Sequence, residues 1–227
     1  MSNLLHGFVQ QDNISRASDG APAGIRLTRD GAIVGIPWVQ ALCLEGRVFG
    51  AQEGSASTTI VGAGQFGAAA IDLDEFDYLQ TIPQTVVVIP VFYSVGYSVV
   101  GSVDETGMAL VWGSGGIIAS GIALTPFNMK TGSSNTSSCT VVGLGDDGGT
   151  AITLAGLINH DITVGLTGAA ASPQQFVPSW SVATASFAPV LEGLTGTGRQ
   201  VAGFHPSQAG SGYVVSNWVE LPINAVN

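Results

Sequence analysis

The sequence predicts an all-β fold: a two-sheet β-sandwich of jelly-roll type with at most one short helix. Three observations predict it. The helix formers Lys, Glu, Arg and Met are scarce, whereas Gly (32 residues), Val, Thr and Ser are abundant. Apolar residues alternate or run for short stretches, the pattern of strands. Turn clusters recur at the spacing of a sandwich or barrel: DETG (104–107), GSGG (113–116), KTGSSNTSS (130–138), GDDGG (145–149) and SQAGSG (207–212).

Taken in order, residues 1–25 are polar, punctuated by Ser, Asp and Pro, and read as an extended N-terminal arm. Residues 26–227 read as a single β-sandwich domain, since 227 residues suffice to bury a core without metals or disulfides. Strands are expected at 32–38, 40–49, 57–61, 85–100, 109–112, 117–124, 138–144, 151–154, 161–166, 179–187, 199–204 and 212–221. The strongest is TVVVIPVFYSVGYSVV (85–100), with Pro90 marking a bend or bulge and Gly96 a kink. In GYVVSNWVELP (212–222) Val215, Asn217 and Val219 share one face and Val214, Ser216 and Trp218 the other. The stretch 66–79 places Phe66, Ala69, Ala70, Leu73 and Phe76 near helical spacing and reads as either a short helix or an acidic loop.

Charged residues are 10 % of the chain against roughly 25 % in ordinary soluble domains, while hydrophobic residues reach 45 %. Such a surface is expected to be covered by other copies of the protein, or to be polar through Ser, Thr, Asn and Gln. Sixteen acidic against six basic residues, with Lys130 the one lysine, give a net charge of −10 and argue against direct nucleic-acid binding. The opening MSNLLHGFVQQDN lacks the basic and apolar regions of a signal peptide, and no apolar run approaches the ~18 residues of a membrane span, so neither classical export nor a membrane span is expected.

Gly62-Ala63-Gly64-Gln65-Phe66-Gly67 spells the G-x-G-x-x-G pattern of dinucleotide-binding turns. The following strand holds Pro90 and supplies no acid for a ribose, and no alternating helices follow, so a glycine-rich strand end or loop is the expectation. Asp72, Asp74, Glu75 and Asp77 form the densest acidic cluster. Asp72, Asp74 and Asp77 are candidate oxygen ligands for a cation such as calcium, although the EF-hand glycine and closing glutamate are replaced by Asp77 and Pro83; a solvated acidic face is the alternative. Asp146-Asp147 matches the GDD turn of polymerases without their length or basic channel, and reads as a hairpin turn. His160 beside Asp161 has no G-x-S-x-G element to serve, and no catalytic residue is assigned. Cys43 and Cys139 lack C-x-x-C spacing and read as buried free thiols, a long-range disulfide being the alternative. Trp38, Trp112, Trp180 and Trp218 each sit in a strand-like context and are expected to anchor the core or an interface.

FDYLQTIPQTVVVIPVFYSVGY (76–97) and the closing GYVVSNWVELP resemble the structural proteins of tailless icosahedral phages and related viruses with single jelly-roll major capsid subunits. The resemblance implies a capsid subunit of a virion, assembled in the host cytoplasm, whose chemistry is interfacial burial between copies of itself, with a second structural protein as a further partner. The missing basic arm departs from coat proteins that wrap RNA directly. It implies a genome neutralised by other components, or an outer-layer or decoration subunit. A receptor- or glycan-binding spike or adhesin is the second reading, and a β-sandwich enzyme the third.

Overall fold

The computed structural model describes residues 37–55, 60–61, 66–67, 70–71, 73–74, 76–99, 105–119, 121–143, 149–164, 179–193, 198–204 and 211–223. The expected arm at 1–25 lies outside the described residues. By its internal contacts the chain divides into two units, Met1–Ala41 and Leu42–Asn227. The elements run α1 (Trp38–Leu44), β1 (Val48–Glu53), β2 (Ile60–Val61), β3 (Phe66–Gly67), β4 (Ala70–Ile71), β5 (Tyr78–Ile82), β6 (Val86–Val99), β7 (Glu105–Ser114), β8 (Ile122–Leu124), β9 (Phe127–Asn128), β10 (Thr140–Gly143), β11 (Thr153–Val164), β12 (Ser179–Ser181), α2 (Val182–Ala185), β13 (Leu191–Glu192), β14 (Arg199–Phe204) and β15 (Ser211–Pro222).

Two antiparallel sheets carry the fold, as expected. One is ordered β12-β6-β15-β1-β9, with β13 also on β6 and β2 on β15; the other is ordered β11-β7-β14-β5-β10-β8. One set of the long-range pairs is nested, and rolling it up adds two more, β15 with β6 and β14 with β7. Strand β1 pairs with β15, β5 with β14, β6 with β12 and β13, and β7 with β11. Within the nested set early strands thus meet late ones in strict reverse order, as in a long hairpin rolled on itself, which is the wrap of a jelly roll. The segment between β7 and β11 is an insertion that reaches both sheets, β9 adding to β1 and β10 to β5.

Between the sheets lies the main core, which includes Phe49, Tyr78, Ile82, Tyr93, Met108, Leu110, Trp180, Val201 and Trp218. The Tyr78 and Tyr93 rings meet across it at 5.9 Å, and Phe49 packs on Trp218 at 6.5 Å. A second core, unforeseen in the sequence, covers the outer face of the six-stranded sheet with Phe76, Leu79, Ala109, Val111, Ile152, Ala202 and Phe204. Gln200 holds its covering loop in place: the Gly116 N–H donates to Oε1 at 2.7 Å, and Nε2 donates to the Gly116 carbonyl at 2.9 Å.

Several expected elements are corrected. The strand expected over 40–49 begins instead as helix α1, because Gly46 at φ +71° closes a Schellman cap in which Arg47 N–H donates to Leu42 O and Gly46 N–H to Cys43 O. The strand expected over 179–187 stops at Ser181, which caps α2 by accepting from Thr184 N–H. Within 66–79 the described residues form no helix: β3 pairs with β4, and Tyr78 opens a strand. There are therefore two short helices among the described residues, neither at the expected place. Most of 117–124 is not strand; Ile117 makes an isolated bridge to Thr150 and only Ile122–Leu124 pairs. Conversely, the strands expected over 151–154 and 161–166 both overlap one long strand, β11 (Thr153–Val164).

At Gly203 the two sheets approach so closely that a Cβ would collide with the Tyr93 hydroxyl. Gly203→Ala is expected to destabilise the domain by roughly 1–3 kcal/mol through overpacking. Equilibrium urea denaturation checks this, and Tyr93→Phe in the same background should recover part of the loss.

Candidate functional site

Three environments carry the polar and exposed chemistry of the described residues. The first is a buried polar cluster inside the sandwich. Strand alternation turns Val214, Ser216, Trp218 and Glu220 of β15 inward. Glu220 is buried, yet it is well provided with donors: Ser138 N–H at 2.8 Å, Trp218 Nε1–H at 2.8 Å and the Ser137 hydroxyl. Ser137 Oγ in turn accepts from Cys139 N–H at 3.1 Å. The Tyr78 hydroxyl donates to Gln80 Oε1 at 3.2 Å in the same interior.

Burial, and after it the negative charge of Glu220, pushes the Cys139 thiol far above the ordinary cysteine range; hydrogen bonds to Gln80 and Ser137 act the other way without cancelling it. Burial likewise raises Tyr78, against a hydrogen bond with Ser216 that lowers it. A thiol held protonated beside a carboxylate is a poor nucleophile. This cluster fastens the 137–139 segment to β15 and has no evident reactive group. Both cysteines are free, Cys139 buried and Cys43 half-buried.

The second environment is a cleft of about 210 Å³ at the sandwich rim, lined by Trp112, Pro189, Val190, Leu191, Glu192 and Arg199. Trp112 continues the inward face of β7 beyond Met108 and Leu110 and lies against Gly156 of β11. The Arg199 guanidinium stacks on the Trp112 ring at 4.8 Å and donates from Nε to the Glu192 carbonyl at 3.4 Å.

The third is the set of exposed apolar side chains, most of which fall at the margins of the two sheets, although Trp38 and Leu44 lie on α1 and Ile117 in the loop after β7. Ile122 lies on β8 and Phe127 on β9, with Met129 just beyond; Leu154 and Leu157 lie on β11, and Phe187 (78 % exposed) and Val190 between α2 and β13. These four places are the two edges of each sheet.

The sequence-derived candidates distribute unevenly. Trp218 (1 % exposed) and Trp180 lie in the core, and Trp112 is half-buried at the rim. Trp38 lies on α1, where a strand was expected, and is 45 % exposed. Of the candidate cation ligands, Asp72 lies outside the described residues, Asp74 is half-exposed in a turn, and Asp77 is buried with its N–H donating to Gly203 O, not part of a solvated face. Among the described residues no three His, Cys, Asp or Glu side chains converge as a metal-binding group. His160 and Asp161 are consecutive in β11, opposite Ala109 and Met108, so alternation points their side chains to opposite faces. Gly62–Gln65, Asp146-Asp147, His6 and His205 lie outside the described residues. Glu220, Gln200 and Arg199 were missed. For Glu220 the signal was present, because it follows Ser216 and Trp218 on the inward face of an alternating strand.

No protein-family model matches the chain, and no curated protein matches it in sequence. No helix among the described residues is long and apolar enough to cross a membrane.

The raised Cys139 and Tyr78 values have a consequence for alkaline stability. The folded state keeps both groups protonated, whereas the unfolded chain releases protons as pH passes the ordinary cysteine and tyrosine values of about 8.5 and 10. Stability contributed by the protonated groups is therefore complete below about pH 8 and falls as pH rises above it. The urea midpoint should decline between pH 8 and 10.5, and Cys139→Ala should flatten the first part of that decline. A thiol count at pH 8 should find Cys139 protected until denaturant is added.

Proposed function

We propose that the chain is a structural virion protein, a capsid or decoration subunit that assembles with copies of itself, and with a second structural protein where the shell has one, through lateral interfaces into an icosahedral shell. The observation that carries this reading is the placement of exposed apolar side chains at both edges of both sheets. A subunit that tiles a surface is bounded by neighbours on several sides, and each interface of standard size buries about 800 Å² per partner around an apolar centre. The low charge of the chain agrees with a perimeter designed to be covered. Jelly rolls also scaffold lectins and enzymes, so the fold alone does not choose among them.

The genome is a poor partner for this subunit. Arg47, Lys130 and Arg199 are the cationic side chains among the described residues, and Arg47 is engaged with Glu45 at 3.2 Å. On this reading other components or ions neutralise the nucleic acid. The second reading, a glycan-binding spike, is favoured by one feature, the aromatic rim cleft with its arginine.

Size-exclusion chromatography with light scattering, followed by negative-stain imaging of the heaviest fraction, tests the proposal. Pentamers, hexamers or closed shells are the expected result. The double variant Leu157→Asp/Phe187→Glu should remain smaller while melting as the wild type does, since both residues are exposed and such substitutions cost within about 0.5 kcal/mol. A monodisperse trimer with glycan affinity would favour the spike, and a monomer at all concentrations would overturn self-assembly.

A further inference from the structure

We infer that the rim cleft is a carboxylate-binding site whose occupant is an acidic side chain of a second copy of this chain. The occupant rests on the coat reading above; the chemistry of the cleft stands by itself. A cleft of about 210 Å³ is smaller than the roughly 300–1,000 Å³ of cofactor and drug-sized pockets, and suits one side chain. Its walls are divided by chemistry. Pro189, Val190 and Leu191 offer apolar surface for a methylene stem, and Arg199 offers the charge.

Arg199 is prepared for a bidentate partner. The guanidinium carbon sits over the Trp112 ring at 4.8 Å, and Nε donates to the Glu192 carbonyl, so two contacts hold the group in place. No other described group accepts from Arg199, so its two terminal nitrogens are left with their donors, and the Glu192 carboxylate lies beyond ion-pair distance. A planar fork held in this way matches the two oxygens of a carboxylate, where a lysine would supply only a point charge. Strand β14 fixes the position of the arginine by pairing Arg199 with Ile82 on one side and Ser114 on the other. A partner carboxylate would also relieve a charge that is rare here: six basic residues stand against sixteen acidic ones, so every neighbouring copy brings an excess of acids. Exposed Val190, which lines the cleft, supplies apolar surface beside such a pair.

The test uses the full chain and the variants Arg199→Gln and Arg199→Lys, each first checked for an unchanged circular dichroism spectrum and melting temperature. Light scattering over a concentration series should show self-association weakened roughly tenfold or more in Arg199→Gln, as expected for loss of a desolvated charge pair, with Arg199→Lys intermediate. Succinate serves as the probe of the cleft itself. Its addition should shift the Arg199 Nε–Hε NMR resonance saturably and compete with self-association. Association of Arg199→Gln equal to that of the wild type would overturn the inference and leave the coat reading standing. A wild type that stays monomeric would remove the coat reading and the occupant together, and an Arg199 resonance indifferent to succinate would remove the carboxylate site whatever the oligomeric state.

Discussion

The ladder between β6 and β15 is the constraint on which the rest of the structure depends. It runs from Val86 opposite Pro222 to Val99 opposite Ser211, and places the last strand between β6 and β1. Of its two register shifts, the one at Asn217/Trp218 is essential. Asn217 faces Phe92 and Trp218 faces Pro90, so Val91 is an extra residue on β6. The bulge shifts the side-chain alternation by one, which lets Val86 and Val88 before it and Tyr93 and Val95 after it all point into the same core. Without the extra residue half of β6 would turn its apolar side outward. Pro90 fits here because β13 pairs with Val87 and Val88 and β12 with Phe92 to Ser94, leaving the proline opposite a gap.

A carboxylate buried in this core is costly unless its oxygens are satisfied. Glu220 meets that condition with two N–H donors and a hydroxyl, and its donors come from two directions. Trp218 lies on the same strand, while Ser137 and Ser138 belong to the insertion that reaches the other sheet. The same interaction that satisfies the charge therefore fixes where the insertion enters β10. Next to it, Cys139 and Tyr78 stay neutral for the reason that makes Glu220 expensive, which is the scarcity of water.

The fold class was legible because strand formation is largely local: the alternation of 212–222 and the apolar run of 85–100 map onto β15 and β6 almost residue for residue. Pairing was not legible, since each partner in the nested set lies far away in sequence and no local rule names it. The bulge at Pro90 could be foreseen, because proline lacks the N–H a ladder needs. Helix α1 was missed although Gly46 announced its end, for Val39, Leu42 and Leu44 are equally at home in a strand and the deciding cap lies beyond them. The rim cleft had no signal, because Trp112 and Arg199 meet only when β7 and β14 pair, and the second core was hidden because strands buried on both faces lose their alternation.

On the coat reading, the edges bear on how a subunit could associate without forming fibres. Strand β11 offers a long margin, and among the described residues it pairs with β7 alone. A flat margin of this kind invites strand addition without limit. Here register shifts at Ala155 and Ile158 break the regularity of the strand exactly where Leu154 and Leu157 expose their side chains. Bulges obstruct continuous backbone pairing but leave side-chain contact open. On the coat reading this division is what a closed shell requires: neighbours recognise one another through shaped apolar patches and anchored charges, whose geometry fixes an angle, while the backbone edge that would permit open-ended growth is irregular.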